Sequence, residues 1–316
     1  MVFNLDYCLR NDCMLDIALV GTGGMMPMPD RFLSSMILRL KGRMVLVDCG
    51  EGTQVSLKKI GWGFKAIDAI IFTHYHADHI SGLVGMLLAI ANSGREEKLT
   101  LAGPKGLRFV VEGILRIAQE IAYEIEYIEF DDDFSGKISI CGMEITPKAA
   151  VHSVKCFAYG FYVPRHGKFD AEKAKAFGIP KKLWSVLQKE GRLEFEGKTY
   201  LSHMVMGEER KGIKIAYCTD SRPFDGLREL AKGADIFVCE GMYGDDEKKP
   251  KAIENRHMLF SEAAEAAKRA KAKELWLTHF SPSLSKPEEF LEKAADIFPN
   301  TVIGFDGMRK TLLFEE

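Results

Sequence analysis

Residues 73–79 read Thr73-His74-Tyr75-His76-Ala77-Asp78-His79, which places four good metal ligands within six positions. They follow an apolar run, Ala66-Ile67-Asp68-Ala69-Ile70-Ile71-Phe72. A short run of this kind, rich in β-branched and aromatic residues, reads as a buried strand that delivers the ligands to the edge of a sheet. Side chains two apart on an extended backbone point the same way, so His74 and His76 can grip one ion. Asp78 and His79, on the turn that follows, can reach a second. The next stretch, Ile80 to Ala91, is apolar with Gly82 and Gly85 and reads as a helix packed closely on the sheet. Core packing does not explain so dense a set of ligands; metal chemistry does.

The remaining sequence sets the frame. The 316 residues, 47% apolar and 28% charged, describe an ordinary globular chain with ample length for a core. A net charge of -2 means the chain as a whole is no polycation. The seven cysteines (Cys8, Cys13, Cys49, Cys141, Cys156, Cys218 and Cys239) are odd in number and lack paired spacing. They read as reduced thiols of a cytosol, not as a disulfide framework. Cys8 and Cys13 alone make a weak metal pair. No secretory leader is recognisable, and no apolar run approaches the ~20 residues needed to cross a bilayer. The expectation is a cytoplasmic protein with no membrane contact. Residues 1–13 read as an N-terminal extension, and residues 14–316 as a single domain opening on a strand and a glycine turn.

Strand signals recur at Ile17–Val20, Ser35–Leu40, Met44–Val47, Ile67–Phe72, Leu99–Ala102, Ile138–Ile145, Phe157–Val163, Ile213–Cys218, Ile236–Cys239 and Leu275–Thr278. Helical stretches lie between them at Leu107–Ile121, Phe224–Ala231 and Glu262–Ala270, the last with Ser261 as expected N-cap. Interleaved elements predict an α/β fold with a mixed sheet. One stretch differs in composition. Arg165 to Arg192 holds eight basic and three acidic residues, a net +5, so everything else nets -7. It is either a solvated helical face or an electrostatic footprint for a phosphate backbone.

Three further ligand candidates follow strand-like runs: His152, Asp220 and His279. Each alone is an unremarkable residue; together they match a metal site at one edge of a sheet. The predicted partition gives His74, His76 and His152 to one ion and Asp78, His79 and His279 to the other, with Asp220 shared. Imidazoles with carboxylates suit two Zn²⁺ ions, with Mn²⁺ as the alternative. Two adjacent ions can hold a bridging hydroxide as nucleophile and neutralise charge on a phosphoryl oxygen. Asp48 is either a partner that orients the ligand loop or a simple turn aspartate.

With these residues in place the chain resembles the metallo-β-lactamase superfamily and, within it, the ribonuclease Z family of tRNA 3′-end endonucleases. The superfamily resemblance rests on His74-x-His76-x-Asp78-His79 with His152, Asp220 and His279. The narrower one rests on Gly21-Thr22-Gly23-Gly24, Ser34-Ser35, Asp48-Cys49-Gly50-Glu51-Gly52-Thr53-Gln54, Thr219-Asp220-Ser221-Arg222-Pro223 and Leu277-Thr278-His279-Phe280-Ser281. It covers nearly all of the chain from Met14 onward. The resemblance implies a four-layered αββα sandwich and a zinc-dependent hydrolase that cuts the 3′ trailer from precursor tRNA. It implies catalytic roles for Asp78, His257 and Glu240, with His257 donating a proton to the leaving 3′ oxygen or stabilising phosphate charge, and Glu240 orienting it. The flanks differ from the family motifs: Cys239, Gly241 and Met242 surround Glu240, and Met258 and Leu259 follow His257. The basic stretch falls where the family carries its tRNA-gripping arm, an insertion of about residues 165–205. There Gly178-Ile179-Pro180 precedes Lys181 and Lys182, the substrate-binding candidates. A homodimer is also implied. His166 and His203 match no family ligand and read as surface residues. The alternatives are a related phosphodiesterase for small or cyclic nucleotides and a nucleic-acid-binding protein with an idle site.

Overall fold

In the computed structural model, which describes residues 14–118, 121–165 and 167–315, the apolar segments become the strands of two seven-stranded sheets. The expected extension, residues 1–13, lies outside the described residues, as does His166. In the first sheet β1 (Met14–Gly21), β2 (Ser35–Leu40) and β3 (Arg43–Val47) form an antiparallel meander. Next come β4 (Ile67–Ile71), β5 (Leu99–Pro104) and β6 (Ile125–Phe130), each parallel to its predecessor. Parallel neighbours require crossovers. These carry α1 (Thr53–Lys59), α2 (Ala77–Ile80), α3 (Leu83–Asn92) and α4 (Leu107–Leu115).

The second sheet opens with the antiparallel strands β7 (Ile138–Ile140), β8 (Met143–Ala149) and β9 (Phe157–Arg165). The stretch Pro164–Gly212 then forms a compact unit of its own. It contains α5 (Ala171–Ala176), α6 (Lys181–Glu190) and the hairpin β10 (Arg192–Phe195) and β11 (Lys198–Leu201). Asp170 caps α5 by accepting from the amides of Glu172 and Lys173. Ala174, Ile179, Leu187, Leu193, Tyr200 and Val205 give this unit its own small core. Lys181 and Lys182 at the start of α6 are exposed, and so is His203.

The sheet continues with β12 (Arg210–Cys218), β13 (Ile236–Glu240) and β14 (Leu275–Thr278), and ends at β15 (Thr301–Ile303). From β12 onward the strands run parallel. Their connections hold α7 (Asp225–Ala231), α8 (Lys249–Glu254), α9 (Phe260–Ala270) and α10 (Leu291–Ile297). The chain returns to the first sheet as β16 (Arg309–Leu313), antiparallel to β1.

Burial explains the layering. Ile17, Ala18, Leu19 and Val20 alternate between the two faces of β1, and all are fully buried, so that sheet is covered on both sides. Its outer face packs Ala18 and Val20 with Leu57, Leu87 and Val111 of α1, α3 and α4. The second sheet packs Phe237 and Cys239 against Leu230 of α7, Phe260 of α9 and Ala294 of α10. Between the sheets, Tyr159 of β9 donates its hydroxyl to the Phe72 carbonyl at 2.6 Å. The result is the expected αββα sandwich. Among the described residues no helix is long and apolar enough to cross a membrane.

Several expected elements differ. Ile138–Ile145 is not one strand but the hairpin β7–β8, because Cys141 (φ 54°) and Gly142 (φ 77°) place a tight turn in its middle. The helix expected from Leu107 to Ile121 ends at Leu115. The helix over Ile80–Ala91 is two pieces, α2 and α3, separated at Ser81-Gly82. Ser261 lies inside α9; Leu259 holds the N-cap position, and the Ser261 hydroxyl donates instead to Asp246 at 2.6 Å. Strands β6, β10, β11, β15 and β16 have no counterpart in the sequence reading.

Gly82 is needed for the break between α2 and α3. A Cβ there would stand 2.2 Å from the Gly50 carbonyl oxygen, and the Gly82 amide donates to the Cys49 carbonyl at 2.9 Å. Backbone lies on the obstructing side, so no rotamer change relieves the clash. Gly82→Ala should destabilise the fold by about 1–3 kcal/mol, measured as a lowered urea midpoint with an unchanged m-value.

Candidate metal centre

Thr73, the residue after Phe72, is fully buried and donates its amide (2.8 Å) and hydroxyl (2.9 Å) to the buried Asp48 carboxylate. That carboxylate also meets His79 Nδ1 at 2.9 Å. Asp48 is therefore the partner that orients the ligand loop, and its second task is to leave His79 Nε2 facing inward. The loop after it is laced to the ligand helix: Cys49 donates its amide to the His79 carbonyl at 2.8 Å. The ligand run itself departs from the extended strand expected. Strand β4 stops at Ile71, His76 occupies the N-cap position of α2, and Asp78 and His79 fall in that helix's short turn.

The other candidates arrive from the second sheet. His152 follows β8, in a segment where Val151 pairs with Arg222. Asp220 follows β12, Glu240 ends β13, and His279 follows β14. Donor atoms of His74, His76, His152 and Asp220 lie within 4.8 Å of one another, and so do those of Asp78, His79, Asp220 and His279. One Asp220 oxygen faces His79 Nε2 (3.1 Å) and His279 Nε2 (3.0 Å). The other faces His74 Nε2 (3.8 Å) and His152 Nε2 (3.7 Å). The amide of Met25 donates to Asp78 Oδ2 at 2.7 Å, a contact no sequence signal announced.

The chemistry of these donors fits a metal cofactor. His152 Nε2 and His76 Nδ1 approach to 3.3 Å, and His79 Nε2 and His279 Nε2 to 3.2 Å. Paired lone-pair nitrogens at such distances repel unless a cation or proton lies between them. His74 Nε2 is buried with no hydrogen-bond partner among the described residues, an arrangement that burial penalises. The charges agree. Burial alone would keep His79 and His279 neutral, but Asp220 outweighs it for both, with Asp48 assisting at His79 and Asp78 at His279. His79 is held well above the ordinary imidazole range, and His279 rises to about 10. Burial and the neighbouring imidazoles keep His74 below that range. The cage thus takes up positive charge.

His257 and Glu240 stand beside it. Glu240, fully buried, accepts from the Ser221 amide (2.5 Å) and the Met258 amide (3.1 Å), and meets His257 Nδ1 at 3.1 Å. Burial opposes a proton on His257, but the Glu240 carboxylate prevails and raises it above the ordinary imidazole range. The His257 ring lies 5.4 Å from that of His152 and 5.5 Å from that of His279. It lines, with Met25, Tyr243, Asn255, His76, His152 and His279, a cavity of about 510 Å³. Sequence reading did not single out Arg222 and Glu262, although Arg222 lies in the quoted Thr219–Pro223 motif.

Comparison with known proteins finds related chains and folds. The family described as "Anti-Pycsar protein Apyc1" matches residues 15–130, and the "Beta-lactamase superfamily domain" matches residues 169–280. A ribonuclease Z of Clostridium acetobutylicum is 55% identical over 96% of this chain and 99% of its own length. A second, of Lachnospira eligens, is 50% identical with the same coverage. Among solved structures, the short form of human tRNase Z superposes with a TM-score of 0.66 at 23% identity, covering 95% of this chain and all of that one. The metallo-β-lactamase fold protein YhfI of Bacillus subtilis gives 0.68 at 20% identity with the same coverage. These two structural likenesses speak to the fold.

Asp220, with Asp48 at His79 and Asp78 at His279, favours a proton on both imidazoles, and a metal would have to displace such protons to bind. Their raised values mean the protons are present below and through neutral pH and are lost only as pH rises further. Metal affinity should therefore weaken as pH falls. Calorimetric zinc titration at pH 7.5, in buffers of different ionisation enthalpy, should report release of roughly one to two protons per subunit.

Proposed function

The chain belongs to the ribonuclease Z family, and from that premise we propose that it is the endonuclease that cuts the 3′ trailer from precursor tRNA. The observation that carries this reading is identity of 55% along the full length of a ribonuclease Z, joined to a cage that collects positive charge. The alternative, a phosphodiesterase for small or cyclic nucleotides, is not favoured beside ribonuclease Z relatives 55% and 50% identical.

We assign His74, His76 and His152 to one Zn²⁺, Asp78, His79 and His279 to the other, and Asp220 to both; Mn²⁺ is the substitute such donors also accept. When bound, the metal pair activates water at neutral pH and offsets charge on a phosphoryl oxygen. The protein's own residues do the rest. Met25 fixes the Asp78 oxygen that lies 3.5 Å from His279 Nε2. Glu240 holds His257 by Nδ1 and leaves Nε2 as its nitrogen for the cavity. Water gives up a proton to solvent and attacks phosphorus in line, the bond from phosphorus to the 3′ oxygen breaks, and His257 delivers a proton to that oxygen and regains one from solvent. The tRNA keeps a 3′ hydroxyl and the trailer a 5′ phosphate.

The compact unit Pro164–Gly212 serves as the arm for tRNA. Lys181 and Lys182 are exposed, lie at the positive end of α6, and form no ion pair among the described residues. A homodimer is supported by α3, which carries no charged residue; its outward positions Val84 and Leu88 are apolar and half-buried. A helix apolar all round is ordinarily covered. Unpaired cysteines at Cys49, Cys141, Cys156, Cys218 and Cys239 suit a cytoplasmic setting.

A labelled precursor tRNA incubated with the zinc-loaded protein should yield a single cut at the trailer junction. Absence of cleavage with either Zn²⁺ or Mn²⁺ would defeat the reading. Asp78→Ala should abolish the cut, and His257→Ala should lower kcat by about 10²–10⁴-fold. Replacing Lys181 and Lys182 together by glutamate should raise KM roughly tenfold at low salt, an effect that fades at high salt. A KM that does not move would remove these two lysines from the tRNA-binding surface.

A further inference from the structure

We propose that Arg222 and Glu262 form a positioning pair that fixes His257 against the metal centre, an inference resting on the catalytic role given to His257 above. Arg222 lies two residues past Asp220 and donates from Nη1 to the His257 carbonyl. The same guanidinium grips Glu262 with two bonds, Nη1 to Oε2 at 2.7 Å and Nη2 to Oε1 at 2.5 Å. Glu262 Oε2 also accepts the Leu259 amide at 3.1 Å. Both side chains are largely buried, at 18% and 16% exposure, where a paired fork holds its geometry far better than a solvated ion pair does.

Four polar backbone groups of residues 257–259 are each tied to a partner. The His257 amide donates to the Ala252 carbonyl at 2.8 Å. The His257 carbonyl takes the Arg222 proton, the Met258 amide goes to Glu240, and the Leu259 amide goes to Glu262. Glu240 therefore holds the ring from one side, and the Arg222–Glu262 pair holds the backbone from the other. Sequence position adds a second constraint. Asp220, Ser221 and Arg222 are consecutive: the first faces the metal cage, the second donates to Glu240, and the third carries the clamp. One short segment sets both the shared carboxylate and the proton donor, so their separation is fixed by covalent geometry plus three hydrogen bonds. Loosening the clamp should cost the proton-transfer step without altering how RNA binds.

The test is a double-mutant cycle on the full-length, zinc-loaded protein with labelled precursor tRNA. Arg222→Gln with Glu262→Gln removes both charges at once, so neither is left unpaired. It should lower kcat by about 10–100-fold, the scale of a misplaced catalytic group, with KM within twofold and metal content unchanged. Built into His257→Ala, the same pair of substitutions should cause no further loss. If the two losses multiply, the pair acts elsewhere and the proposal falls, while the role of His257 stands. If His257→Ala alone leaves kcat unchanged, the catalytic reading of His257 falls and the proposal with it. Glu262→Gln alone keeps an acceptor for Leu259 and repeats the cycle should the double variant fold poorly. Multiplying losses there overturn the proposal equally.

Discussion

Asp220 is the group around which the centre is organised. It is 2% exposed, and its two oxygens face four imidazoles, two on each side. A buried carboxylate needs either protons or cations opposite it. Its neighbours are nitrogens that would repel one another if all stayed neutral. The arrangement favours positive charge between them, which protons or a metal cofactor can supply. Asp48, bound to Thr73 and His79, and the Met25 amide on Asp78 hold these side chains in that mutually unfavourable packing.

How the chain holds them follows from the sheet topology. Asp48, His74, Asp220, Glu240 and His279 all stand at or just beyond the C-terminal ends of strands that pair in parallel, namely β3, β4, β12, β13 and β14. Parallel strands point their C-terminal ends the same way, so their loops gather at one edge. Three of these residues also adopt left-handed backbone: Asp48 (φ 58°), Asp220 (φ 46°) and His279 (φ 57°). Such conformations cost non-glycine residues of order 1–3 kcal/mol each. They persist where surrounding bonds over-determine them. Asp48 meets that condition through Thr73 and His79, and His279 through the next residue, Phe280, whose amide donates to the Thr22 carbonyl at 2.8 Å and whose carbonyl accepts from the Gly24 amide at 3.0 Å.

Much of this was legible in the residues themselves. The His74–His79 run, the strand before it and the strand-end positions of His152, Asp220 and His279 carry their own signals, because ligand chemistry and apolar runs are local. What could not be read locally depended on turns and distant partners. The Cys141-Gly142 turn hides inside an uninterrupted apolar pattern. Ser261 looks like a cap but lies two residues inside its helix, since the Glu262 carboxylate already takes the Leu259 amide. Strand β16 pairs with β1 across almost the whole chain, and its exposed, charged sequence gives no periodic signal. Met25 reaches Asp78 through its backbone amide, to which side-chain identity is indifferent.

The flanks of His257 make the same distinction at the proton donor. Family resemblance leads one to expect small hydroxyl residues after this histidine, yet Met258 and Leu259 stand there, both buried. Hydroxyls at these positions could serve as local acceptors for the nearby amides. Here those amides find carboxylates brought from β13 and α9 instead, so the two side chains are free to join the apolar packing. Met258 does so beside Phe260 and Leu277, and Leu259 beside Met242 and Tyr243. The hydrogen-bonding demand of the segment is met by tertiary structure, and the local sequence is released to stabilise the core. A motif can then lose its characteristic letters while the geometry around its histidine is kept, provided Glu240 and Glu262 remain in reach.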